Sequence, residues 1–234
     1  MPAEHITKQF DIELETVRAK VLEMGGLVES QIKSAVDALH RGDCDLARRV
    51  IELDHRVNAL EVSIDEDCNH IIARRQPAAG DLRLILAIIK TITDLERIGD
   101  EASKIARMTI LIHNNDRNIP SFRMDLRHIA HLAMTMLNHT LDAYARLDIN
   151  EATQILRDDF EVDEAFRSIL RQLITFMMED PRTISNAIEF LFAAKALERI
   201  GDHATNMAEY VIFLVKGKDV RHTSVEEVEQ SVRN

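Results

Sequence analysis

The sequence predicts an all-α protein made of two tandem, pseudo-symmetric three-helix bundles, and three observations carry that prediction. Only 4% of the 234 residues are aromatic and none is Trp, so Leu, Ile, Ala, Val and nine Met must fill the interior. That composition suits helices better than a sheet, which draws on β-branched and aromatic side chains. Seven Gly and four Pro leave few turns, which makes the elements long. The third observation is that the two halves of the chain align over most of their length.

The elements follow from the breakers between them. The first segment ends at Arg41-Gly42-Asp43, and the second runs on to Gln76-Pro77-Ala78-Ala79-Gly80. The third stops at the stretch Asn114 to Pro120, the fourth at Asp148-Ile149-Asn150, the fifth at Asp180-Pro181 and the sixth at Gly217. Each carries apolar residues at three- and four-residue steps, as Ile85, Ile88, Ile92, Leu95, Ala102, Ile105 and Ala106 do in the third, so all six read as amphipathic helices. A helix of about 30 residues is about 45 Å long, the scale of a bundle. An offset of 105 residues takes Asp37-Ala38 to Asp142-Ala143, Asp54 to Asp159 and Asn58 to Asp163. The offset shrinks to 104 at Pro77/Pro181 and to 102 at Glu96/Glu198, as small deletions near the second loop require. The expected domains are residues 1–115 and 121–216, each packed antiparallel through short loops, with Asn114 to Pro120 as the joint and residues 217–234 as a polar, partly ordered tail.

Charge narrows the function. A net charge of −11 repels a phosphate backbone and argues against nucleic acid as a partner; metal cations and basic partners fit better. Cys44 and Cys68 have neither zinc-motif spacing nor a disulfide framework and read as reduced thiols of a cytoplasmic protein. Met1 to Lys20 is charged throughout, unlike a signal peptide. The most apolar runs, Leu82 to Ile92 and Ala187 to Leu197, are interrupted by charges and shorter than the ~20 residues that span a bilayer. Any membrane association is therefore expected to be peripheral.

Two motifs are nearly copies: Leu95-Glu96-Arg97-Ile98-Gly99-Asp100 and Leu197-Glu198-Arg199-Ile200-Gly201-Asp202. Each sets a Glu and an Asp four residues apart, on one face of a helix, where unpaired like charges cost about 0.2–0.5 kcal/mol. Each also sets beside them a mid-helix Gly, which costs roughly 1 kcal/mol relative to Ala. On a helical wheel Gly99 falls on the core face, where a bare backbone admits a neighbouring helix, and Glu96 and Asp100 fall on its shoulder. One such pair offers too few ligands for a hard cation, which takes about six oxygens. The duplicated pairs Asp54/Asn58 and Asp159/Asp163 of the preceding helices supply the rest. The expected metal sites are thus Asp54, Asn58, Glu96 and Asp100 in the first bundle and Asp159, Asp163, Glu198 and Asp202 in the second, suited to iron, zinc, manganese or magnesium, with bridging carboxylates able to hold more than one ion.

An isolated acidic pair is ordinarily a solvated face, and Asp11/Glu15 and Glu61/Asp65 are assigned nothing. Arg97 is expected to pair with Asp94 or Glu101 on its own helix, and His203 to be either a hydrogen-bonding residue or an added nitrogen ligand. No nucleophile with an oriented base, Gly-rich phosphate loop or pair of Glu-x-x-His motifs is present, so no catalytic residues are assigned.

Gly80-Asp81-Leu82-Arg83, Lys90, Asp94 to Asp100, the second Glu198-Arg199-Ile200-Gly201-Asp202-His203 and the tail Gly217-Lys218-Asp219-Val220-Arg221-His222 together resemble the PhoU family of phosphate-signalling regulators, over nearly the whole chain. The resemblance implies two three-helix bundles with surface acidic motifs that bind multinuclear metal clusters, and a dimer. It also implies a non-enzymatic role in the cytoplasm, against the high-affinity phosphate ABC transporter, its ATPase subunit included, and a membrane sensor histidine kinase. There the protein would hold the phosphate-starvation response off when phosphate is ample. Asn58 departs from the acidic pattern, which leads one to expect a first site that holds fewer ions or holds them less tightly. The alternatives are a carboxylate-bundle metal enzyme or metal store, and a purely structural helical protein.

Overall fold

The computed structural model describes residues 8–114 and 122–233. Helix α1 spans Lys8–Arg41, α2 Cys44–Arg75, α3 Ala79–Asn114, α4 Phe122–Arg146, α5 Ile149–Glu179 and α6 Ile184–Lys216; a 3-10 turn, Pro181–Thr183, leads into α6, and a short α7 covers Val225–Arg233. No strand occurs among the described residues. The expected joint falls largely on residues 115–121, outside those described.

The repeat extends to the helix starts. Asp43 Oδ1 accepts from the amides of Asp45 and Leu46 at the head of α2, and Asp148, 105 residues on, accepts from Asn150 and Glu151 at the head of α5. The residue before each cap has positive φ, Gly42 at 68° and Leu147 at 53°. A leucine adopts that conformation at a cost that glycine avoids.

Helices α1, α2 and α3 pack on one another as the first bundle and α4, α5 and α6 as the second. The bundles join mainly through α3 against α6, with α1 against α4 behind them, so that α2 and α5 lie on the outer flanks. The apolar stripes meet at a continuous core in which Ile88, Ile92, Leu95, Ala102 and Ala106 of α3 are buried as their spacing predicts.

Helices α3 and α6 run antiparallel. The Arg83 guanidinium covers Gly217, which ends α6 at φ 70°, a conformation that favours glycine, and a Cβ there would push the guanidinium aside. Lys90 sits over the rings of Tyr210 and Phe213, 5.5 and 5.7 Å from their centroids. Asp94, 2% exposed, accepts from Asn206 Nδ2 at 3.2 Å and meets His203 Nδ1 at 2.8 Å. Glu101 pairs with Arg199 at 2.7 Å and with Lys104 at 3.3 Å. The partners expected for Arg97 are therefore engaged elsewhere, Asp94 across the seam and Glu101 both across it and with Lys104 of its own helix. His203 is a buried hydrogen-bonding residue of that seam.

The tail is more ordered than its polar composition suggests. Ser224 Oγ accepts from the Glu227 amide while Glu227 Oε2 accepts from the Ser224 amide, a capping box that starts α7. Val220 and Val228 are buried, α7 packs on α5, and Arg157 ion-pairs with Glu229.

Removing the Asp94 carboxylate strands the groups that converge on it. Asp94→Ala is expected to lower stability by about 2–4 kcal/mol, seen by calorimetry as a Tm fall of roughly 5–15 °C for a chain of this size. An unchanged Tm would show that the seam does not depend on this residue.

Candidate metal centres

The two glycines do what their cost implies. A Cβ on Gly99 would lie 3.3 Å from Val57 Cγ1, and one on Gly201 3.3 Å from Val162 Cγ1, both tighter than ordinary contact. Val57 lies between Asp54 and Asn58 on α2, and Val162 between Asp159 and Asp163 on α5. The close approach therefore brings Asp54 Oδ1 within 3.6 Å of the Cβ position of Gly99, and Asp159 Oδ1 within 3.7 Å of that of Gly201. Asp54 thus faces Glu96 and Asp100, and Asp159 and Asp163 face Glu198 and Asp202. Asn58 is exposed on α2.

Crowding shows in the acidities. Burial, then the neighbouring Asp100, Glu61 and Asp54 carboxylates, raise Glu96; burial and Asp54 raise Asp100. In the second cluster burial, with Asp202 and Asp163 next, pushes Asp159 up to about 6. Burial also raises Glu198 and Asp202, and the Lys195 ammonium opposes it in both.

Three neighbours were hidden from the sequence. Glu61, raised by burial and by Asp65, adds its charge beside Glu96 and Asp100. Its 105-residue counterpart is Phe166, so a search by duplication passes over it; its place seven residues after Asp54, on the same face of α2, is the signal that finds it. Gln31 of α1, 2% exposed, donates from Nε2 to Asp54 Oδ1 at 3.0 Å and to Ser103 Oγ at 3.2 Å, and its Oε1 meets no donor. Lys195 of α6 ion-pairs with Glu198 and stands 5.5 Å over the Phe166 ring.

Among the described residues no three His, Cys, Asp or Glu side chains stand close enough together to hold a metal ion in this conformation. The donor set is nonetheless one of oxygens alone, mutually repelling and reaching solvent, with a buried oxygen unsatisfied beside each cluster, Gln31 Oε1 at the first and Thr205 Oγ1 at the second. Carboxylates and an amide oxygen suit a hard cation such as Mg²⁺ or Mn²⁺, which would relieve the repulsion as side chains rotate onto it.

The PhoU domain family model matches the chain over residues 21–109 and 126–211. The phosphate-specific transport system accessory protein PhoU homolog of Pseudomonas aeruginosa is 49% identical over 230 residues, 98% of this chain and 95% of that one. The accessory protein PhoU of Escherichia coli is 48% identical over 226 residues, covering 97% and 93%. The crystal structure of PhoU from Pseudomonas aeruginosa superposes with a TM-score of 0.86, covering 89% of this chain and all of that one at 49% identity. The phosphate transport system regulatory protein PhoU from Streptococcus pneumoniae gives 0.83 at 28% identity, covering 90% and 99%.

A carboxyl that holds its proton more tightly when folded contributes a penalty that is absent below its unfolded value and grows as pH rises through the folded one. For Asp159 that window runs from 3.8 to about 6. With chelator present, Asp159→Asn is expected to be more stable than the parent at pH 7.5 by about 1–2 kcal/mol, less than the roughly 3 kcal/mol that two full pKa units are worth. The difference should vanish near pH 4, read from denaturant titrations at both pH values.

Proposed function

Because the chain belongs to the PhoU family, we propose that it is a non-enzymatic regulator of phosphate transport that holds the phosphate-starvation response off when phosphate is ample. Identity near one half along essentially the whole chain to proteins named as accessories of the phosphate-specific transport system carries this reading. A likeness confined to one bundle would support only a shared fold; this one spans both bundles and the seam between them.

In this reading the protein works through contacts, with the phosphate ABC transporter on one side and a sensor histidine kinase on the other, at the inner face of the membrane. No helix among the described residues is long and apolar enough to cross a membrane, so attachment there would be peripheral. The half-buried acidic clusters on the two α2/α3 and α5/α6 flanks serve as cation sites that brace the flanks or bridge to a partner. A homodimer belongs to the same proposal, and light scattering of the purified chain measures it.

Deleting the gene is expected to raise a phosphate-starvation promoter reporter several-fold in phosphate-rich medium, and a plasmid copy to restore repression. A reporter that stays silent without the protein would overturn the regulatory reading.

A further inference from the structure

The two acidic clusters share a backbone plan; besides Asn58/Asp163 they differ at four equivalent positions, and those four differences all act against the sense of that one. Where the first cluster has Glu61 the second has Phe166, and where the first has Thr93 the second has Lys195. Val62 corresponds to Arg167 and Gln31 to Met136. The first cluster thus gains a carboxylate and an amide oxygen, and the second gains two cations. Lys195 ion-pairs with Glu198 and is steadied by the Phe166 ring, and Arg167 Nη2 pairs with Asp163 Oδ2 at 3.0 Å. Among the described residues Asp54, Glu61, Glu96 and Asp100 make no ion pair; Arg97 and Arg107 act on them only from a distance.

Resting on the cation-site reading above, we infer that the sites are unequal: the first, built from Asp54, Glu61, Glu96, Asp100 and the Gln31 oxygen, takes up a divalent cation, whereas the second carries its own counter-ions in Lys195 and Arg167. The independent support is Gln31. Its side chain is 2% exposed, yet Oε1 has no donor and lies beside Asp54, 3.2 Å from the Cβ position of Gly99, at the floor of the first cluster. A buried amide oxygen without a partner is unfavourable unless something electropositive arrives to meet it. In the second cluster Met136 fills that place, and the buried oxygen without a partner there is the Thr205 hydroxyl, which unlike an amide oxygen carries a proton of its own to turn toward Asp159. A metal ion entering there must also displace an ammonium already bound to a carboxylate. This order is the reverse of the one expected from Asn58 alone, because Glu61 restores the charge that Asn58 withholds.

The test uses the full-length chain, stripped with chelator and titrated with MnCl₂. Calorimetry gives the affinity classes and the free-Mn²⁺ electron paramagnetic resonance signal counts bound ions. The parent is expected to show one tight class and a second at least about tenfold weaker. Glu61→Gln and Gln31→Met should each weaken the tight class severalfold or more, and Lys195→Thr should tighten the weak class by about tenfold, with far-UV circular dichroism unchanged. Because Lys195→Thr is a partly exposed change expected to gain affinity, misfolding cannot mimic its effect. Two equal classes in the parent, or a Lys195→Thr titration that overlays the parent's, would overturn the inequality. Absence of any Mn²⁺ binding would overturn the cation-site reading itself.

Discussion

The structure depends on one pairing, α3 against α6, held in a single antiparallel register. Arg83 over Gly217, Lys90 over Tyr210, Asp94 on His203 and Asn206, and Glu101 on Arg199 are successive rungs of it. The acidic motifs are placed by the same rungs. Glu198 precedes Arg199, Asp202 precedes His203, Asp100 precedes Glu101 and Glu96 follows Asp94 by two. One residue turns a helix by 100°, so side chains adjacent to those that point across the seam emerge on its flanks. There α2 and α5 bring up their own acids.

Apolar packing alone would fix the register less firmly. A ridge of Ile, Leu and Ala presents a similar surface after a shift of one turn. Such a slip would strand the buried Asp94 carboxylate and the Glu101 carboxylate, 7% exposed, from the groups they meet across the seam. Buried charge left unpaired costs far more than a paired one gains. The polar rungs therefore act less as glue than as a penalty on every other alignment, and a metal-ligand face is useful only if its phase is fixed.

The six long helices, their phase and their pairing within each bundle were legible in the sequence, because each depends on spacing along one chain or on the duplication of a segment. So was the convergence of Asp54 on Glu96 and Asp100 and of Asp159 on Glu198 and Asp202, for the glycine in each motif announces a close neighbour and the repeat names it. Contacts across the two bundles were not. A helical wheel shows that Glu101 and Asp94 can reach Arg97, but not that Arg199 and His203 reach them from a helix 100 residues away. Glu61 was missed for a different reason. Duplication served as the filter for function, and Glu61 is functional in appearance only where the copies differ. The ordered tail was hidden by composition: two buried valines, Val220 and Val228, anchor a stretch that is otherwise polar.

Tandem copies that pack through the same helix are free to diverge where that helix meets its copy, as two identical chains are not. Mirroring the pair Glu101–Arg199 through the 102-residue offset would set His203 against Arg97, with no anion between them. Asp94, whose counterpart is Ala196, supplies the missing anion off the symmetry, and packing is reason enough for that divergence. It is not reason enough on the flanks. Thr93, Glu61, Phe166 and Lys195 are all partly exposed, and either copy's choice would fit either flank without disturbing the core. Differences that the fold does not require, Glu61 adding an anion to one flank and Lys195 and Arg167 adding cations to the other, are better explained by what the two flanks bind than by how they pack.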